Sequence, residues 1–305
     1  MTSFGDRLTQ QIRHLGTPLC VGLDPFEDQI PALFGPLGEL PTLEAFCQEV
    51  IEQVAGKVAI IKPQIGLFEP WGAEGVALTA RLSRYAQDRG LLVIIDAKRG
   101  DIGSTAQGYA RTFLAKDARI PCDCLTINPY LGLDSLEPFV STAIAHDKGV
   151  AVLVRTSNPG AADFQDLMCG HAPLWVRVGE ALEPMQAQMM GQGDYSSLMV
   201  VCGATWPEEA VKLRRILPKT LFLVPGFGAQ GGAAGDALAG LVKGPNGHEG
   251  GVVSSSRAIL YPKAGKDAAS LAQWRHIFQT NLDLAIQDLK RASDLVAPVS
   301  QNASD

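Results

Sequence analysis

Eight short apolar runs recur along the chain: PLCVGLD, KVAIIKP, LLVIIDAK, DCLTINP, GVAVLVRTS, LMVVCGA, TLFLVPG and GVVSSSR. Between them lie stretches with helical spacing of apolar positions, among them TLEAFCQEVIEQVAG, VALTARLSRYAQDRG, AQGYARTFLAKDA, LEPFVSTAIAHDKG, APLWVRVGEALEPMQAQM, WPEEAVKLRRILP and AGDALAGLVKG. Nearly continuous apolar strands alternating with helices are the rhythm of repeated β-α units around a parallel sheet. Eight such units predict an α/β fold of the TIM (β/α)8 barrel type rather than an open doubly wound sheet. The first strand ends in Gly22, Leu23, Asp24 and Pro25, without the Gly-x-Gly-x-x-Gly turn of a dinucleotide fold. Extra length follows the first strand (PFEDQIPALFGPLGELP) and the fifth (160–197), and neither stretch reads as a separate domain. DAASLAQWRHIFQTNLDLAIQDLKRASDL predicts a long amphipathic helix on the outside of the barrel. The expected organisation is one barrel domain over 1–295 and a polar tail over 296–305.

Composition narrows the class. A chain of 305 residues that is 46% apolar and 19% charged can bury a large core. A formal net charge of -6 argues against general binding to nucleic acid or to anionic membranes. No run approaches the roughly 20 apolar residues of a membrane span, and MTSFGDRLTQQIRHLG lacks the apolar centre of a signal peptide, so a cytoplasmic location is expected. Six cysteines are too sparse for a disulfide framework; Cys20, Cys122, Cys124 and Cys202 fall in strand-like runs and read as small core residues. The five histidines lie away from the strand ends and read as surface or packing residues.

Polar residues collect where the apolar runs end: Asp24, Lys62, Asp96 with Lys98 and Asp101, Asn128, Thr156 with Ser157, Thr205, Gln230 and Arg257. In a barrel those ends converge on one mouth, where barrel enzymes do their chemistry. Asp96 and Lys98 are two apart, so regular strand alternation turns both toward the barrel axis. Lys62 closes the adjacent strand, and Asp101 follows in the loop. An alternating array of Lys62, Asp96, Lys98 and Asp101 is expected, in which the carboxylates favour a charged ammonium on Lys98. A Schiff-base lysine would need the opposite environment, and a metal held by Asp96 and Asp101 would be repelled by the two lysines. An ordinary solvated loop with ion pairs is the bland alternative. Arg99 faces the other way and reads as a salt-bridge residue on the barrel wall.

VPGFGAQGGAAG follows strand seven and VSSSRAI closes strand eight, the place where barrels often bind phosphate. Its glycines allow close approach of backbone to an anion, Gln230 offers an amide, and Arg257 a planar fork.

Together these segments resemble the orotidine 5'-phosphate decarboxylase family in its longer bacterial branch. DAKRGDIGST resembles the family's Asp-x-Lys-x-x-Asp signature, and VGLDP, IIKPQ, TSNPG, PGFGAQGG and SSSRAI stand in the family's order, covering Pro18 to Tyr261. The resemblance implies cofactor- and metal-independent decarboxylation of orotidine 5'-monophosphate to uridine 5'-monophosphate and CO2. Lys98 would stabilise the C6 carbanion and donate its proton, Asp96 would face the departing carboxylate, and Lys62 would hold the network and touch ribose. Asp101, with Ile102 and Thr105, would reach across a homodimer interface into the partner's site. Asp24 would bind a ribose hydroxyl and Ser157 the pyrimidine edge; Gln230 and Arg257 would bind the phosphate, with Pro225 beside them. Ser256 stands where many relatives have glycine. Losing CO2 from an sp² ring carbon leaves a localised carbanion, and a fixed ammonium aimed at it is one stabiliser that needs no electron sink. The runner-up is a Mg-dependent sugar-phosphate decarboxylase or synthase of the same barrel group, which carries an acidic residue where Lys62 stands. A non-catalytic nucleotide-binding barrel is the alternative from another class.

Overall fold

Each of the eight apolar runs forms a strand in the computed structural model, which describes residues 2–228 and 232–295. They are β1 (Leu19–Leu23), β2 (Ile60–Pro63), β3 (Leu92–Arg99), β4 (Cys124–Ile127), β5 (Gly149–Arg155), β6 (Leu198–Cys202), β7 (Leu221–Val224) and β8 (Gly251–Ser255). All pair in parallel with their sequence neighbours, and β8 returns to β1, closing a TIM barrel. The tail expected over 296–305 and Gln230 lie outside the described residues.

Strand alternation sorts the side chains into two populations. Val21, Ile61, Val93, Ile95, Leu125, Val152 and Val200 point outward and pack under the helices. Cys20, Ile60, Ile94, Cys124, Ala151, Met199, Leu221 and Val252 gather inside the barrel as an apolar layer. Two residues later on the same strands come Gly22, Lys62, Asp96, Thr126, Leu153, Val201, Leu223 and Ser254, a layer of the same facing at the carboxyl ends. Fold and chemistry are thus separated by one step of the alternation.

The floor of the barrel is closed by helix Phe4–Leu15, which the pattern did not suggest. Ser3 caps it by accepting the Asp6 N–H, and Gly16, in the left-handed region at φ 68°, ends it. Its apolar face sends Phe4, Leu8 and Ile12 into the interior layer. Beside them Asp123, buried, accepts from Arg7 Nη1 (2.9 Å), Gln87 Nε2 (3.0 Å) and the Val93 N–H (3.0 Å), with Lys148 Nζ at 3.5 Å.

The helical runs differ from expectation in two places. The stretch 172–189 breaks into Leu174–Ala181 and Glu183–Gln188, because Pro184 cannot donate the N–H that a continuous helix needs. The run beginning at Ala234 stops at Leu238, and Val242–Gly244 pairs with Gly247–Glu249 as a hairpin whose two connecting residues are Pro245 and Asn246. The C-terminal helix Leu271–Leu295 packs Trp274, Phe278 and Leu282 into the outer core.

Of the two long connections, the first holds Phe34 edge-on against Phe46 and Trp274. The second carries helix Ala162–Gln165 and a short hairpin, Met168–Cys169 with Ala172–Pro173. It is anchored by Arg155, whose buried guanidinium meets Asp166 Oδ1 at 2.7 Å and lies over the Trp206 ring. Cys20, Cys47, Cys122, Cys124 and Cys202 are buried, and burial pushes the Cys20 and Cys202 thiols up to about 12; Cys169 is exposed. Among the described residues no helix is long and apolar enough to cross a membrane.

Candidate active site

The upper inward layer surrounds a cavity of about 480 Å³ at the carboxyl ends of the strands, a size suited to a nucleotide. Its walls differ in character: Asp24, Lys62, Gln64, Asp96, Lys98 and Thr126 on one side, Leu153, Val201 and Leu223 on another, Pro225, Ser256 and Arg257 toward the rim.

Asp96 is the centre of the charged wall. Its Oδ1 accepts from Lys98 Nζ at 2.6 Å and from the Thr126 hydroxyl at 3.0 Å. Oδ2 accepts from Lys62 Nζ at 3.0 Å and from Gln64 Nε2 at 3.1 Å. Four donors on two oxygens occupy the full accepting capacity of a carboxylate and fix its plane. Burial alone would push the Asp96 carboxyl up; the two ammonium groups and their hydrogen bonds outweigh it and hold it far below the usual carboxylate range. Burial likewise works against the Lys62 ammonium, and Asp96 with Asp24 reverses it, so Lys62 is held above the ordinary lysine value. Lys62 is enclosed, whereas 48% of the Lys98 side chain is exposed, toward the cavity.

The meeting of Asp96 and Lys98 is not the regular alternation that their spacing suggested. Lys98 sits at φ 48°, in the left-handed region, and the β3–β4 register slips between Ile95 and Arg99. A non-glycine residue there costs on the order of 1 kcal/mol, a strain typical of functional positions. Arg99 turns outward to pair with Glu69, as expected of a wall residue.

Asp24 and Ser256 are the uncommitted groups. Asp24 Oδ1 is buried without a hydrogen-bond partner among the described residues and stands 4.0 Å from Lys62 Nζ; Ser256 Oγ is likewise buried without one among them. Ser256 finds its room because residue 22 is glycine: a Cβ at Gly22 would lie 2.8 Å from Ser256 Cβ. Ser157 is pressed as closely against Gly203, where a Cβ would meet its Cβ at 2.8 Å. Arg257, at the rim, has no carboxylate partner among the described residues. Gly226 and Gly228 adopt φ 101° and 80° in the loop leaving β7, where side-chain-bearing residues are disfavoured.

Asp101, Ile102 and Thr105 are not brought to the cavity of their own chain. Asp101 accepts the N–H of Ile102 at 2.8 Å, and Ile102 and Thr105 are exposed at the start of helix Gly103–Leu114. The four-charge array expected from the sequence is thus, within one chain, a three-charge array of Lys62, Asp96 and Lys98 joined by Asp24. Asn128 and Thr205 are exposed, and neither lines the cavity. Among the described residues, no group of three or more His, Cys, Asp or Glu side chains is gathered to hold a metal ion.

Residues 17–272 match the model of the "Orotidine 5'-phosphate decarboxylase / HUMPS family". The chain belongs to that family. An orotidine 5'-phosphate decarboxylase of Rhodopirellula baltica is 39% identical over 289 residues, covering 90% of this chain and 95% of the relative. One of Clostridium perfringens is 39% identical over 272 residues, covering 88% and 92%. The solved Leishmania donovani OMP decarboxylase superposes with a TM-score of 0.75 at 30% identity, covering 96% of this chain and 99% of that one. Within the family the chain stands with the decarboxylases: it is an enzyme of the carboxy-lyase class.

Sequence reasoning missed Gln64, Thr126 and the apolar wall. Gln64 was part of IIKPQ, one residue beyond the strand end and within reach of Asp96. Thr126, as a β-branched residue inside an apolar run, reads as an ordinary strand former. Facing was the available signal: Cys124, Thr126, Ala151, Leu153, Met199 and Val201 follow the same alternation that assigned Lys62 and Asp96.

Proposed function

We propose that the protein converts orotidine 5'-monophosphate to uridine 5'-monophosphate and CO2 in pyrimidine biosynthesis, using the fixed charges of its own chain. The observation that carries this reading is the Lys98 ammonium, held on Asp96 and facing a nucleotide-sized cavity, with Arg257 at its rim free of carboxylate partners among the described residues. The bond from C6 to the carboxylate, which faces Asp96, breaks and leaves its electron pair on C6 as CO2 departs. Lys98 stabilises the pair as it forms and then transfers a proton to C6. Its half-exposed side chain can recover a proton from water. Lys62 and Asp96 keep the ammonium in place without reorganising during the reaction.

Asp24, whose side chain lines the cavity, accepts from a ribose hydroxyl, Ser157 meets the pyrimidine edge, and Arg257 grips the phosphate beside Pro225, with Gln230 assigned there by the family motif. Binding energy at the phosphate, remote from C6, is then available to hold the reacting carbon against Lys98. Asp101, Ile102 and Thr105 serve the partner's site in a homodimer, in a cytoplasmic enzyme. Ile102 is 59% exposed, and Tyr130, 80% exposed, with Leu131 adds apolar surface at the same end of the barrel. Sedimentation should give a dimer; a monomer with full activity would remove this part of the reading.

The test of the reaction is the ultraviolet absorbance of orotidine 5'-monophosphate during incubation with the enzyme in chelator. Turnover should persist in chelator, and Lys98→Ala should reduce it by roughly 10⁴-fold or more while uridine 5'-monophosphate still binds. A Lys98→Ala variant of near-normal rate would end the proposal; so would a wild-type protein that binds the product nucleotide and leaves the substrate intact.

A further inference from the structure

β3 and β4 run in register as far as Ile95, which faces Leu125, and meet again at Arg99, which faces Ile127. A single residue of β4, Thr126, therefore stands opposite three of β3: Asp96, Ala97 and Lys98. Such a surplus leaves main-chain N–H groups without ladder acceptors. Both find the same atom. The Ala97 N–H donates to Thr126 Oγ1 at 2.9 Å and the Lys98 N–H donates to it at 2.8 Å.

A hydroxyl has two accepting sites and one proton. With both sites filled from the main chain, the proton is turned away from β3's backbone donors. Its nearest acceptor is Asp96 Oδ1 at 3.0 Å; the Ile95 carbonyl is farther, at 3.5 Å. That carboxylate oxygen is the one that holds Lys98 Nζ. One hydroxyl therefore grips Lys98 at its backbone, where the chain is in the left-handed region, and orients the carboxylate that grips its ammonium. Thr126 is 1% exposed, so water has no ready access to replace it. Its hydroxyl has no capacity left for a ligand, although the residue borders the cavity.

We propose that Thr126 is a positioning residue for the decarboxylation, acting through Lys98 and Asp96; this rests on the reading of the reaction given above. The discriminating pair is Thr126→Ala and Thr126→Ser, which differ by the hydroxyl alone. Thr126→Ala should lower kcat by about 100-fold, the scale of a misplaced catalytic group, with KM and product affinity changed by no more than about threefold. Thr126→Ser should recover most of the lost rate. Equal rates for the two variants would overturn the inference, and so would a fall that appears in KM and product affinity rather than in kcat.

A second readout does not depend on turnover: crystal structures of the two variants. Lys98 should keep its left-handed backbone and its contact with Asp96 in the serine variant and lose one or both in the alanine variant. An unchanged Lys98 in Thr126→Ala would overturn the inference. Wild-type protein without decarboxylase activity would instead sink the reading of the reaction, and the structures would still decide whether Thr126 sets Lys98.

Discussion

The barrel carries a buried carboxylate at each end, and the two are built alike. Asp123 at the floor and Asp96 at the mouth are each ion-paired with two cationic side chains and accept from further donors. For both, burial pushes the carboxyl up and the neighbouring cations and hydrogen bonds more than reverse it. What separates them is their surroundings. The floor is sealed by Phe4, Leu8 and Ile12, and its cluster ties helix Phe4–Leu15 to β3 and β4. At the mouth the neighbours of the cluster are an open cavity, a half-exposed ammonium and two buried oxygens with no hydrogen-bond partner among the described residues. An ion cluster alone does not mark a catalytic site; one that presents a half-exposed ammonium to a nucleotide-sized cavity is the candidate.

Substitution at the two ends should separate these roles. Asp96→Asn should cut kcat by about 10³-fold, because the ammonium loses its fixed counter-charge. Asp123→Ala should leave kcat and KM near the wild-type values and lower unfolding stability by about 3 kcal/mol, as expected when one partner of a buried ion pair is removed. Denaturant titration and steady-state kinetics on both variants decide it; matching kinetic losses at both ends would erase the contrast.

A smaller effect sharpens the picture within the mouth. Arg257→Ala should lower kcat/KM for the nucleotide by about 10- to 100-fold, the worth of a charge-assisted contact, and leave any slow reaction of the phosphate-free nucleoside unchanged. Equal losses on both substrates would place Arg257 elsewhere in the mechanism.

The smallest expected effect is in the acid range. Asp123 has a folded value below its unfolded one, so its stabilising contribution is complete above the unfolded carboxylate value near 3.9 and is lost as the pH falls below it. Stability of the wild-type protein should drop over that window more steeply than that of Asp123→Ala. Parallel curves would contradict the assignment.

Much of this was legible in the residues themselves. Strands buried on both faces must be apolar, so their sequence is nearly sufficient, and a lysine or aspartate at such a strand's end has few structural excuses. Elements decided by tertiary contact were harder to read. Helix Phe4–Leu15 is polar enough to pass for a loose terminus until the barrel floor needs covering. The Val242–Glu249 hairpin was overlooked although Gly244-Pro245-Asn246-Gly247 is a cluster of turn-forming residues. Thr126 escaped because its role arises from a register slip, and no local spacing announces that three residues of one strand will share a partner on the next. Gly203, which makes room for Ser157, escaped for the same reason: its neighbour is far away in the chain.

The contact between Gly22 and Ser256 constrains how this mouth can change over generations. Alanine at 22 collides with the serine already present, a clash that glycine at 256 removes; Asp24 Oδ1 then lies 3.3 Å from the new methyl, a gap that a small side-chain shift can open. The two sites are thereby coupled, and a relative with a residue larger than glycine at 22 should carry glycine at 256.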